Sequence, residues 1–445
     1  MEPAGRVATA VSTAGDTNND GSDDLWLGGP LTPNGRRGQY RGAVFLMESA
    51  YPTLDTVLSA SVTIAATVDN TGFGESIVGG VDLSGDGKLD LLVGAGFDDT
   101  TFTDGGQVYL FSDPVGAGAS RPNDALATYR PEGAHRLGAT VAVGDLNGDG
   151  KPDLLFGAPL WDNGGGNANK DWGSAYVIYG PTFASQSVAN ADARLRGEGQ
   201  NDRAGSSIAA VGDVNGDGIG DLLIGAPLAP RGGPTAQQGR AYLVFGPPPA
   251  LLGLANADVI FEGELASDLA GSSVAGVGDV NGDGYADLLI GAPHNDGGAT
   301  NGGAAYLVLG SASLGGTLNL SAADAILRGS VPGSLVGAAV GTAGDVDQDG
   351  FPDLVIGATG YSTTAGAVGA VYLVRGPVAG ILNLDTQATA RFEGALAGDN
   401  TGLRVGAMGD LNGDGYDDVC VAAPQNDVTA RDAGAMGFFY SFGGL

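Results

Sequence analysis

One nine-residue pattern, D-x-[NSD]-x-D-G-x-x-D, begins at Asp16, Asp82, Asp145, Asp213, Asp279, Asp345 and Asp410. The copies are 66, 63, 68, 66, 66 and 65 residues apart, and self-similarity on that scale signals a stacked or radial array. Residues 1–445 therefore read as a single domain of seven repeats, where length alone would suggest roughly three domains.

The fifth copy shows the shared pieces best: AGSSVAGVGD before the acidic loop, DLLIGAP after it, then GGAAYLVLG and AILRGS. Runs such as LLIGA, LVIGA and VCVAA are short for helices and sit between glycine-rich turns, which predicts strands buried on both faces. AYLVF, AYLVL and VYLVR carry the aromatic and β-branched residues that strands favour. Four strands per repeat, seven times over, predict an all-β chain: a seven-bladed β-propeller of four-stranded antiparallel blades. An open solenoid is the rival, but solenoids use distinct capping repeats and the first and last copies here resemble the middle ones. The 81 glycines fall at fixed offsets within the repeats, at turns and close contacts, so they do not signal low complexity. The count is short by about one strand, since no AILRGS-type strand precedes the first copy or follows the last. Either the last blade has three strands, leaving Phe438 to Phe442 as an apolar edge, or chain flanking these residues supplies the fourth.

Asp occupies positions one, five and nine of every loop, and Gly position six. Calcium takes about six to eight oxygen ligands, and alternate residues converge on it where glycine permits a sharp turn. The spacing matches the first half of an EF-hand loop, with Asp at position nine in place of the Glu expected at position twelve, which suggests a site between strands. The ligand sets are Asp16, Asn18, Asp20 and Asp24; Asp82, Ser84, Asp86 and Asp90; Asp145, Asn147, Asp149 and Asp153; Asp213, Asn215, Asp217 and Asp221. The last three are Asp279, Asn281, Asp283 and Asp287; Asp345, Asp347, Asp349 and Asp353; Asp410, Asn412, Asp414 and Asp418. Asp, Asn and Gly also make good hairpin turns, but a turn needs no second and third carboxylate, and their repulsion opposes it. Ser84 makes the second loop the weakest candidate and Asp347 makes the sixth the most charged. The expected cofactor is Ca²⁺, up to seven ions, which would bring the formal charge from −31 to −17. Magnesium, which resists dehydration and wants a tight octahedral shell, suits these loops less well.

Loops of this form, preceded by GFGESIVGG at 72–80 and followed by GAP at 157–159, 225–227 and 291–293, resemble FG-GAP repeats. That family includes the seven-bladed head of integrin α subunits. The resemblance covers essentially the whole chain. The FG pair itself survives only at Phe73 and Gly74, and the GAP proline is lost in the second and sixth copies. Integrin heads typically carry calcium loops in only some blades, whereas all seven copies have one here. The resemblance implies that the acidic loops join strands one and two on a lower rim and that ligands bind the opposite face. On that face PLWDNGGGNANKDWGS (159–174) brings Trp161 and Trp172, and PLTPNGRRGQYRG (30–42) brings Arg36, Arg37, Tyr40 and Arg41. Together with Tyr361 these are the candidate ligand residues, since Trp, Tyr and Arg make good anchors. The alternative is that the same aromatics cover their own blade edges.

His135 and His294 lie in separate repeats, outside any nucleophile or zinc motif, and Cys420 is the single cysteine, within an apolar strand. A net charge of −31 with 20 Lys and Arg argues against nucleic acid and anionic membranes, and no apolar stretch approaches a membrane span. Met1 leads straight into EPAGR, which is not a signal peptide. Extracellular calcium modules bind at about 0.1–1 mM, so the expected setting is extracellular or at the cell surface. The leading expectation is a non-catalytic, calcium-stabilised scaffold for protein binding or adhesion. Carbohydrate binding through Trp161, Trp172 and Tyr361 is the alternative, as is the propeller portion of a larger hydrolase.

Overall fold

The computed structural model describes residues 7–32, 40–48, 60–116, 118–162, 170–181, 183–230, 237–426 and 435–439. Among them the repeat resolves into seven antiparallel sheets arranged as the blades of a propeller. Blade five is representative: Ser273–Gly278 runs innermost, followed outward by Asp287–Ala292, Ala304–Val308 and Ala325–Arg328. The second strand is buried along its whole length, because each of its faces meets a neighbouring blade. The acidic loops therefore share one rim, between strands one and two, and the second-to-third loops and blade connections form the opposite, upper rim.

The glycine of the LIGA-type runs has a steric cause. A Cβ added to Gly291 would lie 2.1 Å from the carbonyl oxygen of Gly337, in the connection to the next blade. Gly225 stands in the same relation to Gly271 at 2.0 Å, so two backbones touch where these glycines meet.

Two features extend the expected plan. Blades two to five each gain a fifth, short, parallel strand on their outer edge, supplied by the chain of the following blade. Leu251–Gly253, for example, pairs with Ala193–Arg196. The residue that follows this strand begins a one-turn helix and drops into the seam between the blades, as Leu254 does, so the parallel pairing is drawn in by burial.

Among the described residues the seventh blade has three strands, Arg404–Ala407, Val419–Ala423 and Ala435–Phe439, and the ring closes. Asp23 donates its N–H to the Asp410 carbonyl at 2.8 Å, and Asp410 returns its N–H to an Asp23 carboxylate oxygen at 3.1 Å. Leu25 packs with Met408, Leu411 and Cys420 across the same seam. Beyond Phe439 the expected apolar edge lies outside the described residues. Among the described residues no helix is long and apolar enough to cross a membrane.

Candidate functional site

Each acidic loop is shaped by its own carboxylates. In the fifth copy Asp279 Oδ1 accepts the N–H of Gly282 (2.7 Å) and Asp283 (3.0 Å), and Oδ2 accepts that of Gly284 (2.7 Å). Gly284 takes φ +93°, a left-handed conformation that glycine adopts without strain. Asn281 Oδ1 accepts from Asp283 N–H (2.9 Å), and Asp283 Oδ1 from Tyr285 N–H (3.0 Å).

Position nine has a different task. Asp287 is 0% exposed and accepts the N–H of Val280 and of Gly310, both at 2.8 Å, tying the acidic loop to the neighbouring loop of the same rim. Asp24, Asp90, Asp153, Asp221, Asp353 and Asp418 are buried likewise. Burial pushes the carboxyls of Asp221, Asp287 and Asp353 up to about 6; accepted backbone N–H groups oppose the shift, and nearby loop carboxylates add repulsion.

Copies differ in how tightly their carboxylates converge. In the sixth loop, oxygens of Asp345, Asp347 and Asp353 lie within 4.8 Å of one another, the one such cluster among the described residues. Arg375 Nε sits 3.0 Å from Asp347 Oδ2, so this loop already draws a cation. In loops one, four and five the position-three amide faces position five, as Asn281 Nδ2 does toward Asp283 Oδ2 at 3.0 Å. The second loop has Ser84, whose hydroxyl lies 3.4 Å from that of Ser112, and Lys88 beside it pairs with Asp113. The donor set is all oxygen, anionic and partly buried. It fits a hard divalent cation, which would relieve the repulsion that burial imposes.

On the upper rim the candidate ligand residues fall in separate blades. Trp161 is 5% exposed, its ring lying beneath the guanidinium groups of Arg196 (5.2 Å) and Arg194 (5.9 Å), with His135 edge-on at 6.4 Å. Trp172 is half-buried against the same cluster. Tyr361, 7% exposed in blade six, stands edge-on to Tyr372 at 6.3 Å under Arg391. Tyr40 is half-buried, Arg41 pairs with Asp69 at 2.8 Å, and Arg36 and Arg37 lie outside the described residues. Burial pushes the His135 imidazole down to about 4 and raises the Cys420 thiol, while His294 is exposed.

Sequence reading missed the belt of ion pairs beneath this rim. Glu132 pairs with Arg194, Glu198 and Glu262 with Arg240, and Glu264 with Arg328, each across or beside a blade seam. Glu132, Glu198 and Glu264 recur at one offset in RPEG, RGEG and EGEL, a signal that was present in the repeats.

The FG-GAP repeat model matches residues 73–111, 137–170, 204–244, 270–308, 336–374 and 404–435. The chain belongs to the FG-GAP repeat family. The six matched FG-GAP segments fall on blades two to seven, and the first blade lies outside them. The chain is 35% identical to integrin alpha-IIb of Mus musculus over 236 residues, 51% of this chain and 20% of that protein. It is 32% identical to integrin alpha-V of Gallus gallus over 260 residues, 55% and 22% of the two chains. Phosphatidylinositol-glycan-specific phospholipase D of Bos taurus is 33% identical over 201 residues, 44% of this chain and 23% of that protein. The match thus spans about a fifth of the length of these relatives.

Proposed function

We propose that this FG-GAP propeller is a non-catalytic, calcium-stabilised scaffold that presents its upper rim to a protein ligand, outside the cell or at its surface. The observation that carries the calcium reading is the position-nine carboxylate, fully or almost fully buried in all seven loops beside further loop carboxylates. The side chains at positions one, three, five and nine would hold the ion. Its charge would offset a repulsion that folding otherwise imposes. Similarity to integrin alpha subunits supports the adhesive role and the extracellular setting.

Calorimetric titration of chelator-stripped protein with calcium tests the metal reading. Several sites per chain, with a large rise in melting temperature, are expected, and one site or none would overturn it. Attachment of cells to the immobilised propeller, with and without chelator, tests the adhesive role. A glycan array separates protein from carbohydrate ligands, and glycan binding that Trp161→Ala weakens would favour the lectin-like reading.

Similarity to a phospholipase D favours a second reading, the propeller portion of a larger hydrolase. Hydrolysis of a phosphatidylinositol-glycan by these 445 residues alone would overturn the non-catalytic reading.

A further inference from the structure

Blades three and five differ in how they use arginine at the upper end of their outer strands. In blade five Arg328 stands opposite Ala304, and its Nη2 reaches both carboxylate oxygens of Glu264 at 2.8 Å. Ile326, two residues earlier, stands opposite Tyr306. In blade three the same register puts Arg196 opposite Ser174 and Arg194 opposite Tyr176. Here the residue matching Ile326 is an arginine, and it takes Glu132, the counterpart of Glu264. Arg196, the counterpart of Arg328, has no carboxylate partner among the described residues.

The surplus charge sits among unused donors. As with Arg240 and Arg328, the Nε of Arg196 is buried with no acceptor among the described residues, and so is Trp172 Nε1. Trp172 packs against the cluster that contains Trp161, and the Arg196 guanidinium lies 5.2 Å from the Trp161 ring, so both donors border the same aromatic group. Both nitrogens can only donate. Burial, and then the neighbouring Arg196 charge, hold the Arg194 guanidinium below its usual range.

We propose that the upper end of the seam between blades two and three binds a carboxylate, an Asp or Glu side chain of a protein partner, through the Arg196 guanidinium and the Trp172 Nε1–H. A planar guanidinium fork with an adjacent N–H matches a planar carboxylate. Trp161 is 5% exposed and already stacked by arginine, so it offers no platform for a sugar ring, and a peptide side chain suits the site better. The inference rests on reading the upper rim as the ligand face and shares no residue with the acidic loops.

The chain has three tryptophans, so its indole N–H region in a ¹H–¹⁵N spectrum holds three signals, from Trp26, Trp161 and Trp172. With calcium saturating, N-acetyl-aspartate amide should shift the Trp172 signal and leave Trp26 in place, while chloride at equal ionic strength should not. Arg196→Gln should weaken this response about tenfold, as expected for a lost charge-assisted hydrogen bond, and Arg328→Gln should leave it unchanged. Trp172→Phe tests the N–H separately should Arg196→Gln melt early. An equal response to chloride, or an undiminished one in both Arg196→Gln and Trp172→Phe, would overturn the proposal. Glucuronate binding far more tightly than the aspartate probe would overturn the peptide source and favour a sugar acid. If the probe binds through Arg196 but Arg196→Gln leaves cell attachment intact, the carboxylate site stands and the adhesive role of this rim falls.

Discussion

On the lower rim one nine-residue turn is repeated seven times, and its last residue is a buried Asp in every blade. On the upper rim the matching backbone turn is also repeated: the N–H of Asp98, Trp161, Ala229, Asn295, Tyr361 or Asn426 returns to the carbonyl of the alanine that ends the second strand. Here the backbone is constant and the side chain is free to change. Asn295 and Asn426 donate to Asp268 and Asp399 at 3.0 and 2.9 Å, whereas Trp161 and Tyr361 are covered by arginines. The contrast separates a rim bound to one chemistry from a rim on which seven blades can carry seven different surfaces, where binding tends to evolve on a rigid frame.

The largest test of that contrast is removal of the metal. Excess chelator should lower stability by several kcal/mol, since each site held at about a hundred times its dissociation constant contributes about 2.7 kcal/mol. Scanning calorimetry should show an unchanged transition only if the lower rim is a set of plain turns. Gly291→Ala probes the frame beneath both rims: its methyl meets backbone 2.1 Å away, and a loss of about 3 kcal/mol is expected, with or without calcium. Gly284→Ala meets nothing within 4 Å and should cost about 1 kcal/mol through its positive φ.

Single side chains sharpen the contrast further. Asp287→Ala strands two backbone N–H groups and should cost about 2 kcal/mol, together with one calcium equivalent in the titration. Asn295→Ala should cost about 1–2 kcal/mol on the opposite rim, by the same amount in calcium and in chelator. The response to acid reads three buried carboxyls at once. In calcium-free protein Asp221, Asp287 and Asp353 ionise near 6 when folded and about two units lower when unfolded. The folded state therefore holds more protons between about pH 4 and 6, and these three groups add stability as pH falls through that window. Calcium-loaded protein should respond oppositely, because protonation removes the ligands. Melting curves at pH 4.5 and 7, with and without calcium, would show whether the sign reverses.

What the sequence made legible was local and periodic. The loop spacing gave the blade count, the apolar runs gave the second strands, and the missing AILRGS-type segment left two endings for the last blade, of which the described residues show the three-stranded one. Contacts between blades were harder to read. Asp23 and Asp410, which fasten the ring, are 387 residues apart, and no pattern within one repeat couples them. Trp161 reads as an exposed loop anchor because its neighbours are Asp, Asn and Gly; its burial depends on Arg194 and Arg196, more than thirty residues later on another strand. The fifth strands were invisible because their short segments, such as Gln186–Ser187, are drawn in by a neighbouring blade rather than by their own composition.

Those overlapping strands also give the ring a direction. In each of the four cases the later blade lays its chain over the outer edge of the earlier one, like tiles on a roof, so blades two to five are each clamped by a successor. Among the described residues the seam between blades seven and one is held instead by the Asp23–Asp410 pair, the small cluster around Leu25, and Met436 packed on Leu27, Ala43 and Phe45. Because no overlapping strand among the described residues crosses the seams flanking blades seven and one, a load applied across the ring would open that sector first and then travel backward, lifting each tile before the one it covers.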